Sequence, residues 1–255
     1  DVILVDKNFK YSHLYLKTFT TKVDTNKANR ITKGEFDITS YNWNPNGRNI
    51  VFAQSLEPTF NSRFISGDIS LVNVKSKTVR KLITWGGNDR NPIFTPDGKS
   101  ILFTSDGEKN EPIGFSDVYK VSSNGGKPKK LAETPNRSTN IIKCSSNSNY
   151  VYVSEANRTK SEIYKISLNK KEIRPILNLD GRVSSPNISN DSETIAFVKQ
   201  ELNKPSEVYL SELSNISPKQ ISNFNSSLEF PKFAKTELLQ WSSKDGLKIE
   251  GLLTY

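Results

Sequence analysis

The sequence predicts an all-β fold, a β-propeller of about five four-stranded antiparallel blades. Three observations predict it. A turn-centred hairpin recurs every 45 to 51 residues, a second strand motif recurs out of phase with it, and the inner strands are apolar on both faces. Four-stranded units of that length, with strands packed between neighbours on either side, are what a propeller blade requires.

The hairpin is clearest at Arg90–Asp106, centred on Thr95-Pro96-Asp97-Gly98. Proline presets φ at the first turn position, aspartate bonds the backbone that follows it, and glycine takes φ > 0 without a Cβ penalty. Apolar runs flank the turn, Ile93-Phe94 before it and Ile101-Leu102-Phe103 after it. Taking the residue before the turn as a marker, the copies are Trp43, Phe94, Lys143 and Ile188, spaced by 51, 49 and 45 residues. Each second strand then carries an aromatic nine positions on, at Phe52, Phe103, Tyr152 and Phe197. The glycine of the turn, Gly47 and Gly98, becomes Asn147 in the third copy and Ser192 in the fourth.

A third strand follows in five copies: Ser12–Leu16, Gly67–Leu71, Ser116–Val121, Ser161–Ile166 and Ser206–Leu210. After each come a polar turn and a basic-apolar fourth strand, as in Arg80-Lys81-Leu82-Ile83. Ile50–Ala53 and Ile101–Thr104 lack the alternation that a half-exposed sheet would show. The ends differ from the middle. Asp1–Val5 aligns with a second strand, so the first blade lacks its innermost strand, and Phe230-Pro231-Lys232-Phe233 keeps the period as a late strand that could close it. The predicted propeller therefore spans 1–223, with a closing strand or linker over 224–236.

Composition narrows the partners. No apolar run approaches the ~20 residues of a membrane-spanning helix. A start at Asp1 in a chain without methionine suggests that sequence upstream was removed or omitted. The net charge of +9 comes from 36 basic against 27 acidic residues. Its densest clusters, Lys127/Lys129/Lys130 and Lys170-Lys171, fall in hairpin loops without interleaved aromatics, which argues for solvated charge and against a nucleic-acid partner. One cysteine, Cys144, cannot form an internal disulfide and leaves the compartment open: the cytoplasm, or the periplasm or exterior if a signal was removed.

From Glu237 the repeat stops. Glu237-Leu-Leu-Gln-Trp241-Ser-Ser243-Lys-Asp245-Gly246-Leu-Lys-Ile249-Glu-Gly251-Leu-Leu-Thr-Tyr255 resembles the junction in prolyl oligopeptidase-family serine peptidases, of the acylaminoacyl-peptidase and dipeptidyl-peptidase branch. The hairpins and Ser-Asp-Val-Tyr-Lys-Val strands resemble TolB-like blades along nearly the whole chain. The resemblance implies that residues 237–255 open an α/β-hydrolase domain, here truncated. It also implies a parent that hydrolyses peptides or acyl-peptides and a propeller that gates and selects the substrate. The chain has no Gly-x-Ser-x-Gly elbow, so no catalytic residue is assigned to it and it is expected to be inactive alone. The alternative is a non-enzymatic TolB-like scaffold with protein partners on a propeller face.

No cofactor and no metal are predicted. Zinc lacks ligands, and Asp106–Glu111 does not fit a calcium loop and reads as a solvated turn. His13 and Cys144 could form a nucleophilic pair in principle, but nothing in the sequence places them together. The candidates for substrate binding come from topology. The entry into each innermost strand and the loop between second and third strands share one face, which holds Arg90, Arg137 and Arg182 with loops 54–66 and 105–116. Arg137 and Arg182 each lie six residues before their markers and are read as equivalent. These arginines could bind peptide carboxylates at a pore mouth, or pair with Asp37, Asp89 and Asp180.

Overall fold

The computed structural model describes residues 9–18, 28–108, 115–202, 204–227 and 234–255. The chain divides into two compact units, Asp1–Glu133 and Thr134–Tyr255. The architecture is that of the predicted propeller blades, and four complete four-stranded antiparallel sheets follow the predicted strand order.

In the first unit, β1 (Tyr15–Leu16) and β2 (Asn29–Arg30) form a two-stranded sheet at the predicted third and fourth strands of the incomplete blade. The next sheet comprises β3 (Asp37–Trp43), β4 (Asn49–Ser55), β5 (Asp68–Asn73) and β6 (Val79–Ile83). Its successor comprises β7 (Arg90–Phe94), β8 (Ser100–Ser105), β9 (Asp117–Ser122) and β10 (Lys129–Lys130). Val51, Ala53 and Ile69 of one sheet pack against Phe94, Ile101 and Phe103 of the next. Polar ties cross the same seam: Phe94 N donates to Asn42 Oδ1 at 3.1 Å, and Arg80 Nη2 to Ser123 O at 2.8 Å. The loop after β4, which the sequence leaves irregular, holds a short helix, α1 (Phe60–Ile65). Thr59 caps it, its hydroxyl accepting from Ser62 N at 3.2 Å.

The second unit holds two further blades. One comprises β11 (Asn140–Cys144), β12 (Tyr150–Asn157), β13 (Lys160–Ser167) and β14 (Ile173–Asp180). The other comprises β15 (Arg182–Ile188), β16 (Thr194–Glu201), β17 (Lys204–Glu212) and β18 (Lys219–Gln220). Tyr152, Ile163 and Leu177 pack against Ile188, Ile195 and Phe197. A separate hairpin, β19 (Thr236–Ser242) and β20 (Lys248–Thr254), ends the chain. The late strand expected at Phe230–Phe233 and the strand expected at Asp1–Val5 lie outside the described residues.

The third hairpin corrects the sequence reading by one residue. Asn44, Thr95, Ser145 and Ser189 each donate their backbone N–H to the residue five positions on, at 2.8–2.9 Å. Asn46, Asp97, Asn147 and Asp191 each accept from a backbone N–H two residues later. Asn147 therefore takes the place of Asp97, because its side chain makes the same turn bond. The left-handed site falls on Ser148 (φ 55°), as on Gly47, Gly98 and Ser192. The third marker is Cys144, paired with Val151, and the residue facing Tyr164 is Val153, where Phe103 faces Tyr119. Tyr152 points to the opposite face, toward the following blade.

Candidate functional site

The loop-face topology holds within each unit. Gly67 bridges Asn88 and Lys160 bridges Gly181, each in parallel, so a third-strand start clasps the entry into the next blade. In the second unit this clasp floors a cavity of about 410 Å³, lined among others by Glu155, Arg158, Lys160, Glu162 and Arg182. An adjoining cleft of about 520 Å³ shares Thr159, Lys160 and Gly181 with it. Leu202, Leu238 and Leu252 form the apolar wall of that cleft, so the β19–β20 hairpin is part of it.

Glu155 and Glu162 face each other directly across β12 and β13, and both are buried. Like charges at such a position repel, so donors must surround them. Glu162 accepts from Asn157 Nδ2 at 3.0 Å, Asn178 Nδ2 at 3.1 Å and the Tyr164 hydroxyl. Burial, together with that bond to Glu162, pushes the Tyr164 hydroxyl well above its ordinary value. Glu155 accepts from Asn136 N and Ser138 N at 3.3 and 3.4 Å. At the rim, Lys160 pairs with Asp180 at 2.9 Å, and Arg158 with Glu250 of the hairpin at 3.3 Å. Thr159 and Gln240 also donate to Glu250, at 3.1 and 2.9 Å. The site is built to hold polar groups beside an apolar wall, and it carries no nucleophile paired with a base.

The three predicted arginines occupy three different settings. Arg90 pairs with Thr104, three residues beyond the partner of its marker, and its buried Nε has no hydrogen-bond partner. Arg182 pairs with Gln200, five beyond, which is the register of Asp37 opposite Ser55. Arg137 precedes β11 in a left-handed turn (φ 50°). The equivalence of Arg137 and Arg182 is thus corrected: it rested on the third marker, which moves by one residue, and on counting through the bulges in β11 and β15. Arg182 lines the cavity.

The acids offered as alternative partners are engaged elsewhere. Asp37 is fully buried, taking Arg63 Nη2 at 2.6 Å and Nε at 3.0 Å on one oxygen and Ser12 N at 2.8 Å on the other. Asp89 accepts from Trp85 Nε1 at 2.7 Å. Asp106, expected in a solvated turn, is half-buried and accepts Asn88 N at 2.6 Å; Lys109–Glu111 lie outside the described residues. His13 is structural: its Nδ1 lies 3.2 Å from Thr32 Oγ1, its ring meets Phe36 edge-on, and burial, with Arg30 beside it, lowers its pKa. Cys144 is buried in β11. Among the described residues no group of three His, Cys, Asp or Glu side chains could hold a metal ion, and no helix is long and apolar enough to cross a membrane.

Sequence reasoning missed the acid at the start of four of the five third strands; the first has His13 there. Asp68, Asp117, Glu162 and Glu207 all follow the first residue of that motif. Asp117 pairs with Lys130 at 2.9 Å, and Glu207 accepts from Ser222, Phe224 N and Asn225 N. Their recurrence was the available signal: Asp117 ties the third strand to the fourth, and Glu207 holds the loop that follows β18.

Four-stranded sheets repeating this turn and this acid define a β-propeller with TolB-type blades. The chain belongs to the TolB β-propeller domain family (PD40), whose model matches residues 8–180. The Tol-Pal system protein TolB of Helicobacter hepaticus is 30% identical over 162 residues, covering 60% of this chain and 35% of that protein. The chain thus spans about a third of the length of this curated relative. TolB from Acinetobacter baumannii has a similar structure, with a TM-score of 0.57 at 15% identity over 91% of this chain and 55% of the other. A structure from a study of two prolyl endopeptidases gives a TM-score of 0.64 at 14% identity, over 95% of this chain and 34% of the other. At these identities the structural likeness is one of fold.

Proposed function

We propose that this chain is the substrate-gating and substrate-selecting propeller domain of a prolyl oligopeptidase-like serine peptidase that acts on peptides or acyl-peptides. In this reading β19–β20 opens the catalytic domain, and Arg90, Arg137 and Arg182 contact substrate from the loop face. The observation that carries it is the hairpin. One face, with Leu238, Gln240, Glu250 and Leu252, turns to the cleft and its Arg158–Thr159 rim. Strand alternation puts Leu239, Trp241 and Leu253 on the other face, where they are 42–48% exposed. A hairpin apolar on both sides is suited to lie between two bodies.

The second reading is a non-enzymatic TolB-like scaffold that binds protein partners. It is favoured by the sequence likeness to the Tol-Pal system protein TolB. One experiment separates them: treat the natural gene product with a fluorophosphonate probe and measure its intact mass. A labelled serine in a protein larger than 28.7 kDa by a domain of about 250 residues is the expected result. An unlabelled product of about this chain's mass would remove the peptidase reading. In the labelled protein, Arg90→Ala and Arg182→Ala should lower kcat/KM, and unchanged values would remove the arginine assignments.

A further inference from the structure

Three loops of the first unit meet at Asn88 and Asp89. Asn88 Nδ2 donates to Phe64 O at 2.5 Å and so fastens the end of α1. Asn88 N donates to Asp106 Oδ1 in the turn after β8, and Asp89 N donates to Gly67 O at 3.0 Å. The junction has no slack. A Cβ on Gly67 would stand 2.6 Å from Asp89 O, and one on Gly87 2.4 Å from Gly107 O.

Within this junction Asp89 is fully buried, and its Oδ1 is held by Trp85 Nε1. Its Oδ2 has no partner, and neither has the buried Oδ1 of Asn88. Buried acceptors without donors are costly, and a proton on the carboxyl turns one of them into a donor. We propose that Asp89 is a proton-operated pin: neutral, it fastens the α1 loop to the loop face, and ionised, it releases that loop. What is released is an apolar group, Leu56, Phe60, Phe64 and Ile65, all exposed and carried on or beside α1.

The charges around the pin act in a consistent direction. Burial raises Asp89 from 3.8 to about 7, against the Trp85 bond and the nearby Ser105 hydroxyl, and Asp68 and Asp106 add to the rise. Asp68, at the start of β5, is itself raised by burial, with Lys81 of β6 opposing. On α1, Arg63 is committed to Asp37, and on β7 the Arg90 Nε is buried without a partner. The pin is therefore set below neutral pH and drawn as pH rises through it.

The test is amide hydrogen exchange of residues 60–67 in the full chain, from about pH 5.5 to 8.5, with intrinsic rates divided out. Protection should fall up to roughly tenfold per pH unit from pH 5.5 to the Asp89 midpoint near 7, and level off above it. Asp89→Asn keeps the acceptor for Trp85 and should hold protection across the range. Asp106→Asn should move the midpoint down. Protection that does not change with pH in the wild-type chain, or the same fall in Asp89→Asn, would overturn the proposal. Should the Asn variant not fold, Trp85 emission in a Trp43→Phe/Trp241→Phe chain reads the same transition, and its absence has the same meaning.

Discussion

Phe103→Ala tests the packing that joins one blade to the next. Phe103 is fully buried on β8, 5.7 Å from the Tyr119 ring and 6.1 Å from the Trp85 ring, within the cluster that includes Val51, Ala53 and Ile69. Ring burial of roughly 150–250 Å² at ~25 cal/mol/Å² sets an upper bound near 4–6 kcal/mol, and alanine retains part of it. Loss of two aromatic contacts and an uncollapsed cavity bring the expected cost to about 4 kcal/mol. Phe103→Val copies Val153, which faces Tyr164 as Phe103 faces Tyr119, and should cost about half as much. Equilibrium urea unfolding, followed by Trp85 fluorescence and far-UV circular dichroism, measures both. A loss below about 1 kcal/mol for Phe103→Ala, or equal losses for the two variants, would refute the wedge.

Three further outcomes are expected. Ser148 sits at φ 55°, so Ser148→Gly should raise the denaturation midpoint, by about 0.5 kcal/mol after glycine's entropy is subtracted. Ser192→Gly should gain nothing, because the Ser192 hydroxyl accepts Ser146 N. Because Asp89 is raised from 3.8 to about 7, its contribution is complete below pH 4 and is lost as pH climbs through 7. Up to about 4 kcal/mol should disappear, and urea midpoints for Asp89→Asn should lack that slope. Glu250→Ala removes the acceptor shared by Arg158, Thr159 and Gln240. Proteolysis within 236–254 should quicken severalfold while the urea midpoint of the blades stays in place, since Glu250 ties the hairpin to the β12–β13 turn and joins no two blade strands; equal nicking rates would refute the anchor.

The blades were legible because their turns are specified locally. Pro-Asp-Gly, and the acid or amide that bonds two residues ahead, fix each hairpin within a few positions. Legibility failed where spacing was used in place of bonding. Distance from the neighbouring copies selects Lys143 as the marker, whereas the turn bonds of Ser145 and Asn147 select Cys144. The equivalence of Arg137 and Arg182 failed for a related reason, since counting from markers ignores bulges. α1 was invisible because six residues are too few to show a helical period and a single cap, Thr59, starts them. The cleft at Glu155 and Glu162 needs cross-strand register, which no single strand states.

The register shifts along the innermost strands fall in one place. They lie between Ile38 and Ser40, Arg90 and Ile93, Ile141 and Lys143, and Ser184 and Asn187, in each case ahead of the marker. Each works as a slack link, since a residue gained or lost there leaves the turn and the next two strands in phase. Blade length can drift through insertion and deletion without disturbing the packed face. Lineages descended from one ancestral blade should therefore differ most in length along this stretch.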